Sequence, residues 1–185
     1  MQNDFNKVYY VEQQLAETLI ELLKSMSLDE ISVRELCVRA GVGRASFYRH
    51  FQSKEEILER HAQFLIKEWA KELESDPGAK PWNVFESLFN HIKKHQTFYE
   101  VLHKTGRDAI LRVSLREKIG LTGKLPNEDA YQKVFFADGI SGWIEEWIDI
   151  SARYSYLPNL HGAETHTGIF FQCFYCGRRN LRSSR

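Results

Sequence analysis

Basic and polar side chains crowd the segment from Ser32 to Lys54, and their types can bind a polyanion. The segment holds one acid, Glu35, and five basic residues: Arg34, Arg39, Arg44, Arg49 and Lys54. The whole chain balances 25 basic against 25 acidic residues, so this excess is local. Lysine and arginine bind phosphate oxygens, and the planar guanidinium also matches the O6 and N7 edge of guanine. The segment is therefore a candidate surface for nucleic acid, with a solvated basic face as the alternative.

Two capping boxes predict helices that position these residues. Ser32 and Glu35 form one S-x-x-E pair, which predicts that a helix begins at Val33. Ser53 and Glu56 form a second pair, which predicts the start of a later helix.

A glycine turn separates the first of these helices from a short second one. Gly41 tolerates the positive φ at which helices end, and residues 44–51 read as the next helix. Two short helices around such a turn predict a helix-turn-helix, whose second helix enters the DNA major groove.

The same residues resemble a known family, the TetR transcriptional regulators, whose pattern is close to G-V-x-x-x-x-(L/F)-Y-x-H-F-x-(S/T/N)-K-E. This chain has Gly41-Val42, then F-Y-R-H-F over 47–51, then S-K-E over 53–55, all in register. The resemblance runs from about Leu15 to Leu58. It departs from the usual pattern at 44–46, where this chain reads Arg-Ala-Ser, and that changes which bases are read.

The resemblance implies which side chains contact DNA. Chemistry assigns Tyr48 and Lys54 to phosphates, and Arg44 and Arg49 to base edges. Phe47 and Phe51 are expected to anchor the recognition helix to the core, and Arg39 is expected to be a solvated charge. By position in the family, the predicted DNA contacts are Arg34, Arg44, Ala45, Ser46, Tyr48, Arg49, His50 and Lys54.

The rest of the chain predicts an all-α protein in two parts. A DNA-binding head of three helices, residues 1–54, joins a helical body, residues 55–185, through a long helix over 55–75. Apolar residues at helical spacing predict the first helix over 8–26. No stretch shows the alternation that indicates a strand.

Two late helices of the body are unusually aromatic. One begins at Asn127 and one covers 164–175, and both are richer in apolar residues than a core of this size needs. We expect them to form a homodimer, as the last two helices do in the resembled family; the alternative is that they close the monomer core. The stretch F-A-D-G-I-S-G-W-I-E-E-W-I-D, residues 136–149, also resembles a subgroup of that family, the regulators of dihydroxyacetone-kinase operons.

Catalysis, metal binding and membrane insertion are not expected. His161, His166, Cys173 and Cys176 include one C-x-x-C without a matching second pair, so core thiols and exposed histidines are favoured over zinc. No catalytic motif or cofactor-binding motif is present. The chain lacks a transmembrane-length apolar run and a signal-peptide pattern, which predicts a cytoplasmic protein. The basic tail, residues 178–185, reads as a solvated end.

The sequence therefore predicts a homodimeric repressor that binds a palindromic operator in double-stranded DNA and is released by a small-molecule effector. The alternative is a protein-binding co-regulator, or adaptor, on the same fold without a ligand of its own. The operator, the effector and the direction of regulation are left open.

Overall fold

The described residues are helical. The computed structural model describes residues 2–75, 83–121 and 125–154, which contain eight helices and no strand. The all-α fold predicted from the sequence is confirmed, and the predicted helix over 164–175 lies outside the described residues. The helices are α1 Gln2–Leu23, α2 Val33–Arg39, α3 Arg44–His50, α4 Lys54–Glu74, α5 Asn83–Lys94, α6 Gln96–Lys104, α7 Asp108–Lys118 and α8 Asn127–Tyr154.

The predicted boundaries of two long helices are each displaced. The first helix begins at Gln2 and ends at Leu23, because the backbone N–H groups of Lys24 and Ser25 turn back to carbonyls only three residues earlier. α4 begins at Lys54 and ends at Glu74, one residue before the predicted bounds at both ends. Ser53 is its N-cap, as the capping box predicts, and the Glu56 N–H donates to Ser53 Oγ at 3.2 Å.

A continuous apolar core underlies the head and extends along α4. Leu15 and Leu19 of α1, Phe47 of α3 and Leu58 and Leu65 of α4 are all buried in it. α4 packs against α1, α5 and α7, so one helix belongs to both predicted parts of the chain. The described residues up to Ile148 form one compact unit, and a second unit begins at Asp149. The boundary at residue 54 stays a prediction.

α8 has one buried and one exposed face in the described structure. Ala137, Ile140 and Ile144 are buried in the core, so part of the apolar surface predicted for this helix closes the monomer. The opposite face exposes Tyr131 and Phe135, and the Phe135 side chain is 83% exposed. Self-association through this face stays a prediction.

Three histidines meet where α4, α5 and α6 come together. His91 Nε2 lies 3.0 Å from the hydroxyl of Tyr99, and both side chains are buried. The ring of His95 lies 4.8 Å from that of His91, centroid to centroid. His61 of α4 contacts the ring of Phe98 of α6 edge-on, also at 4.8 Å. The cluster therefore joins α4 to α5 and α6 through neutral rings.

Acidification should destabilise the fold through His61 and His91. Burial, followed by repulsion from His95, lowers the pKa of each imidazole from 6.5 to about 4. The unfolded chain takes up these protons near the ordinary pKa and the folded chain only near the lowered one, so stability falls as the pH drops between the two values. We expect the free energy of unfolding, measured by urea denaturation, to fall by about 1–2 kcal/mol per histidine between about pH 7 and pH 5.

A double variant, His61→Gln with His91→Gln, provides the comparison for this prediction. It removes the two histidines whose pKa is lowered to about 4 and leaves His95, while keeping polar side chains in the same places, so its stability should depend much less on pH over this range. An equal pH dependence in the wild type and the double variant would contradict the assignment.

Candidate nucleic-acid interface

α2 and the turn after it are built as the sequence predicts. Ser32 is the N-cap of α2, and its Oγ accepts a hydrogen bond from the Glu35 N–H at 3.1 Å. α2 ends at Arg39, and Gly41, two residues later, has a φ of 65° in the left-handed region. The Val42 N–H then donates to the carbonyl of Cys37 at 2.9 Å, which gives the Schellman end of a helix. The turn fixes the direction in which α3 leaves.

α3 is anchored through one aromatic face. Phe47 and Phe51, one helical turn apart, are 0% and 2% exposed, and their ring centroids are 6.0 Å apart. The guanidinium of Arg60 covers the Phe51 ring at 5.0 Å and pairs with Glu12 of α1 at 3.0 Å. The predicted anchoring role of both phenylalanines is thus confirmed, and α3 is held by α1 and α4 together.

The other face of α3 carries most of the predicted DNA contacts. Arg44, Ala45, Tyr48 and Arg49 are exposed, with Tyr48 at 64%. Ser46 and His50 on the same helix are partly buried at its edge. Arg34 is exposed in the first turn of α2. The structure therefore brings six of the predicted residues together on one helix and places Arg34 on the helix before it.

The positive charge of this surface is concentrated on three arginines. Arg39 pairs with Glu35 at 2.8 Å, so the one acid of the segment neutralises the arginine that was predicted to be a solvated charge. Arg34, Arg44 and Arg49 form no ion pair within the described ranges. These three guanidinium groups are available for an external anion.

Lys54 is placed differently from the other predicted contacts. Its ammonium donates to the carbonyl of Leu28 at 2.5 Å and to the carbonyl of Ile31 at 2.6 Å. Two of its three N–H donors are thus used inside the protein. Sequence reasoning missed these bonds because their acceptors lie 26 and 23 residues earlier, and backbone carbonyls carry no sequence signal.

Other chemistry is limited in the described part of the chain. No group of three or more His, Cys, Asp or Glu there could hold a metal ion. The histidines and cysteines considered as zinc ligands, His161, His166, Cys173 and Cys176, lie outside it. Cys37 is a buried free thiol, and burial raises its pKa, so it stays protonated. None of the helices described is long and apolar enough to cross a bilayer.

The buried aromatic face, the glycine turn and the exposed arginines define α2 and α3 as a DNA-binding helix-turn-helix. Residues 17–60 match the family model described as "Bacterial regulatory proteins, tetR family". This match covers the end of α1, the helix-turn-helix and the start of α4, and it supports a DNA-binding transcriptional regulator.

A solved structure has a fold similar to that of this chain. The crystal structure of Lin0861 from Listeria innocua resembles the chain with a TM-score of 0.57 and 19% sequence identity, over 80% of this chain and 92% of that chain. At this identity the likeness shows a shared fold and no more. No curated protein matches the chain significantly in sequence.

The glycine turn can be tested by Gly41→Ala. No atom lies within 4 Å of an added Cβ, so the penalty comes from the backbone alone. A left-handed φ costs an L-residue about 1–2 kcal/mol, and we expect the free energy of unfolding to fall by that amount.

Gly43→Ala is the matched control, since Gly43 has a φ of −69° and equally open surroundings. Gly43 is the N-cap of α3, where glycine is preferred to alanine, but the lower entropy of the unfolded chain offsets part of that loss, so the variant should cost only about 0.5 kcal/mol. Equal losses from the two variants, measured by chemical denaturation, would show that the positive φ does not determine the turn.

Proposed function

We propose that the protein is a homodimeric, sequence-specific DNA-binding repressor that a small-molecule effector releases from a palindromic operator. The observation that carries the proposal is the division of α3 into two faces. Phe47 and Phe51 are buried, while Arg44 and Arg49 are exposed and unpaired within the described residues. A recognition helix needs this arrangement, because the core must hold it rigidly while its basic face enters the major groove. The proposed role involves no catalytic step and is cytoplasmic.

The exposed side chains divide by chemistry into two groups. Arg44 and Arg49 can each grip guanine O6 and N7, and Ala45 can contact a thymine methyl group. Tyr48, Ser46, His50 and Arg34 supply hydroxyl, imidazole and guanidinium donors suited to phosphate oxygens. The first group would select the sequence, and the second would set the position of the protein on the duplex.

The length of α3 favours a dimer. A helix of seven residues reads only part of one groove, so a specific site needs a second copy of the helix. The exposed face of α8 is available for that contact: Tyr131 and Phe135 project from it, and Gly139 and Gly142 have open space around them. The glycines let a second helix approach closely and the exposed aromatics supply apolar surface, so we propose α8 as part of the dimer interface.

An effector would bind in the body. Trp69 and Phe98 are aromatic residues of the body, but both are buried in the core, and Trp69 Nε1 donates to Ser87 Oγ at 3.2 Å. We therefore propose an effector without assigning ligand residues to it. A metabolite panel in thermal-shift assays tests this part, because a ligand that binds only the folded state raises Tm.

Two finer interpretations stay hypotheses. The stretch 136–149 resembles regulators of dihydroxyacetone-kinase operons, but core packing accounts for Ile140, Ile144 and Ile148 within it. The adaptor alternative, a co-regulator without its own ligand, is not favoured by any contact in the described structure. Capture of a protein partner, together with an absence of thermal shifts, would support the adaptor alternative instead.

Phe135→Glu tests the proposed dimer. Burying a charge in the centre of an interface should weaken association by about 2 kcal/mol or more, roughly 30-fold in Kd. Sedimentation velocity should show a monomer at concentrations where the wild type is a dimer.

Val113→Glu is the control, because Val113 is an apolar residue of α7 that is 51% exposed outside the proposed interface. It should leave the oligomeric state unchanged. A Phe135→Glu protein that remains dimeric would place the interface elsewhere.

Arg49→Ala tests base recognition. Fluorescence titrations would compare DNA from upstream of the protein's own coding sequence with a scrambled duplex, across a salt series. The wild type should bind the upstream DNA tightly and the scrambled DNA weakly. Loss of one bidentate arginine should cost about 1–3 kcal/mol on the specific site and little on scrambled DNA.

Arg39→Ala serves as the matched control, since its guanidinium is already paired with Glu35. It should change neither affinity by more than about twofold. A uniform loss from Arg49→Ala on both DNAs would move Arg49 to the phosphate contacts. Weak wild-type binding, equal on both DNAs and lost at moderate salt, would refute sequence-specific recognition.

A further inference from the structure

Lys54 links two parts of the head that are distant in sequence. It is the first residue of α4, and its ammonium binds the carbonyls of Leu28 and Ile31 in the connection between α1 and α2. An ammonium has three donors and no acceptor, so one donor remains for any other partner. Both bonds have a charged donor, which makes them stronger than bonds between neutral groups.

The two acceptors lie in a segment whose own backbone bonds are few. Leu28 and Ile31 are buried, and the Ile31 N–H reaches the Leu28 carbonyl at 3.3 Å. The Leu28 carbonyl thus accepts from both the Ile31 N–H and the Lys54 ammonium, and the Ile31 carbonyl accepts from the same ammonium, so one side chain serves two carbonyls outside the helices. Without Lys54, this connection would keep its apolar contacts but lose its charged hydrogen bonds.

The two hydrogen bonds of the Lys54 ammonium lie at the starts of two helices. Ile31 directly precedes Ser32, the N-cap that starts α2, and Lys54 directly follows Ser53, the N-cap that starts α4. The ammonium therefore ties the start of α2 to the start of α4. Because α3 lies between these two helices in sequence, its placement depends on these hydrogen bonds as well as on its buried aromatic face.

We propose that Lys54 is a positioning residue for DNA recognition, which holds α2 and α3 in place through the carbonyls of Leu28 and Ile31 and does not act mainly as a phosphate contact. This inference rests on the proposed DNA-binding function. It separates Lys54 from Arg34, Arg44 and Arg49, whose charges have no partner in the described part of the protein.

Two substitutions distinguish positioning from phosphate contact. Lys54→Gln removes the charge, while Lys54→Arg keeps it in a longer, planar group that needs more room than the ammonium has in its part-buried position beside the two carbonyls. A positioning role predicts that both variants weaken specific binding about tenfold, equivalent to about 1.4 kcal/mol, with the salt slope unchanged. A phosphate role predicts that Arg restores binding and that Gln lowers the salt slope by about one unit.

A charge control and a spectroscopic readout complete the experiment. Lys24→Gln removes a lysine near the same connection whose ion pair in the described residues is with Glu21, so it should leave specific binding unchanged. In NMR spectra of the full chain, the backbone carbonyl shifts of Leu28 and Ile31 should move in both Lys54 variants and stay constant in Lys24→Gln. Should Lys54→Gln fail to fold, Lys54→Arg alone decides, because only the phosphate role predicts full rescue.

Each outcome has one meaning. Wild-type binding restored by Lys54→Arg, or unchanged carbonyl shifts in both Lys54 variants, would overturn the positioning role. A wild-type protein that binds no DNA would refute the proposed function, and the recognition role of Lys54 with it, even if the carbonyl shifts respond as expected.

Discussion

The structure depends on the burial of the aromatic face of α3. A helix-turn-helix of two seven-residue helices buries too little surface to be stable alone, so it needs the apolar faces of α1 and α4 beneath it. Phe47 and Phe51 provide that contact, and Arg60 extends it by covering Phe51 while pairing with Glu12. Because α4 also packs against α5 and α7, the recognition helix shares a core with the helices that follow.

This constraint explains how charge is distributed on the head. The buried face fixes the rotation of α3, so Arg44 and Arg49 can only point outward, and both remain unpaired within the described residues. Cations that would compete with them are neutralised locally, as Arg39 is by Glu35, or used inside the protein, as Lys54 is by two carbonyls. A chain without net charge thereby presents a small, strongly basic surface.

Local signals in the sequence predicted much of this site, and tertiary contacts account for the rest. Ser32, Ser53 and Gly41 act through neighbours within a few residues, so their caps and turn could be read directly from spacing. The partners of Lys54 could not, because they are backbone carbonyls brought close only by folding. The two faces of α8 could not be predicted either, because periodicity shows that a helix is apolar but not which of its apolar residues are buried in the monomer core.

Methylation interference would test whether α3 binds in the major groove. Dimethyl sulfate methylates guanine at N7 in the major groove, where Arg44 and Arg49 are proposed to bind. Duplexes that carry the bound sequence would be methylated sparsely, bound by the protein and separated into free and bound fractions. We expect methylated guanines in two symmetric half-sites to be excluded from the bound fraction. Undiminished binding to duplexes methylated at every guanine would contradict the placement of α3 in the major groove.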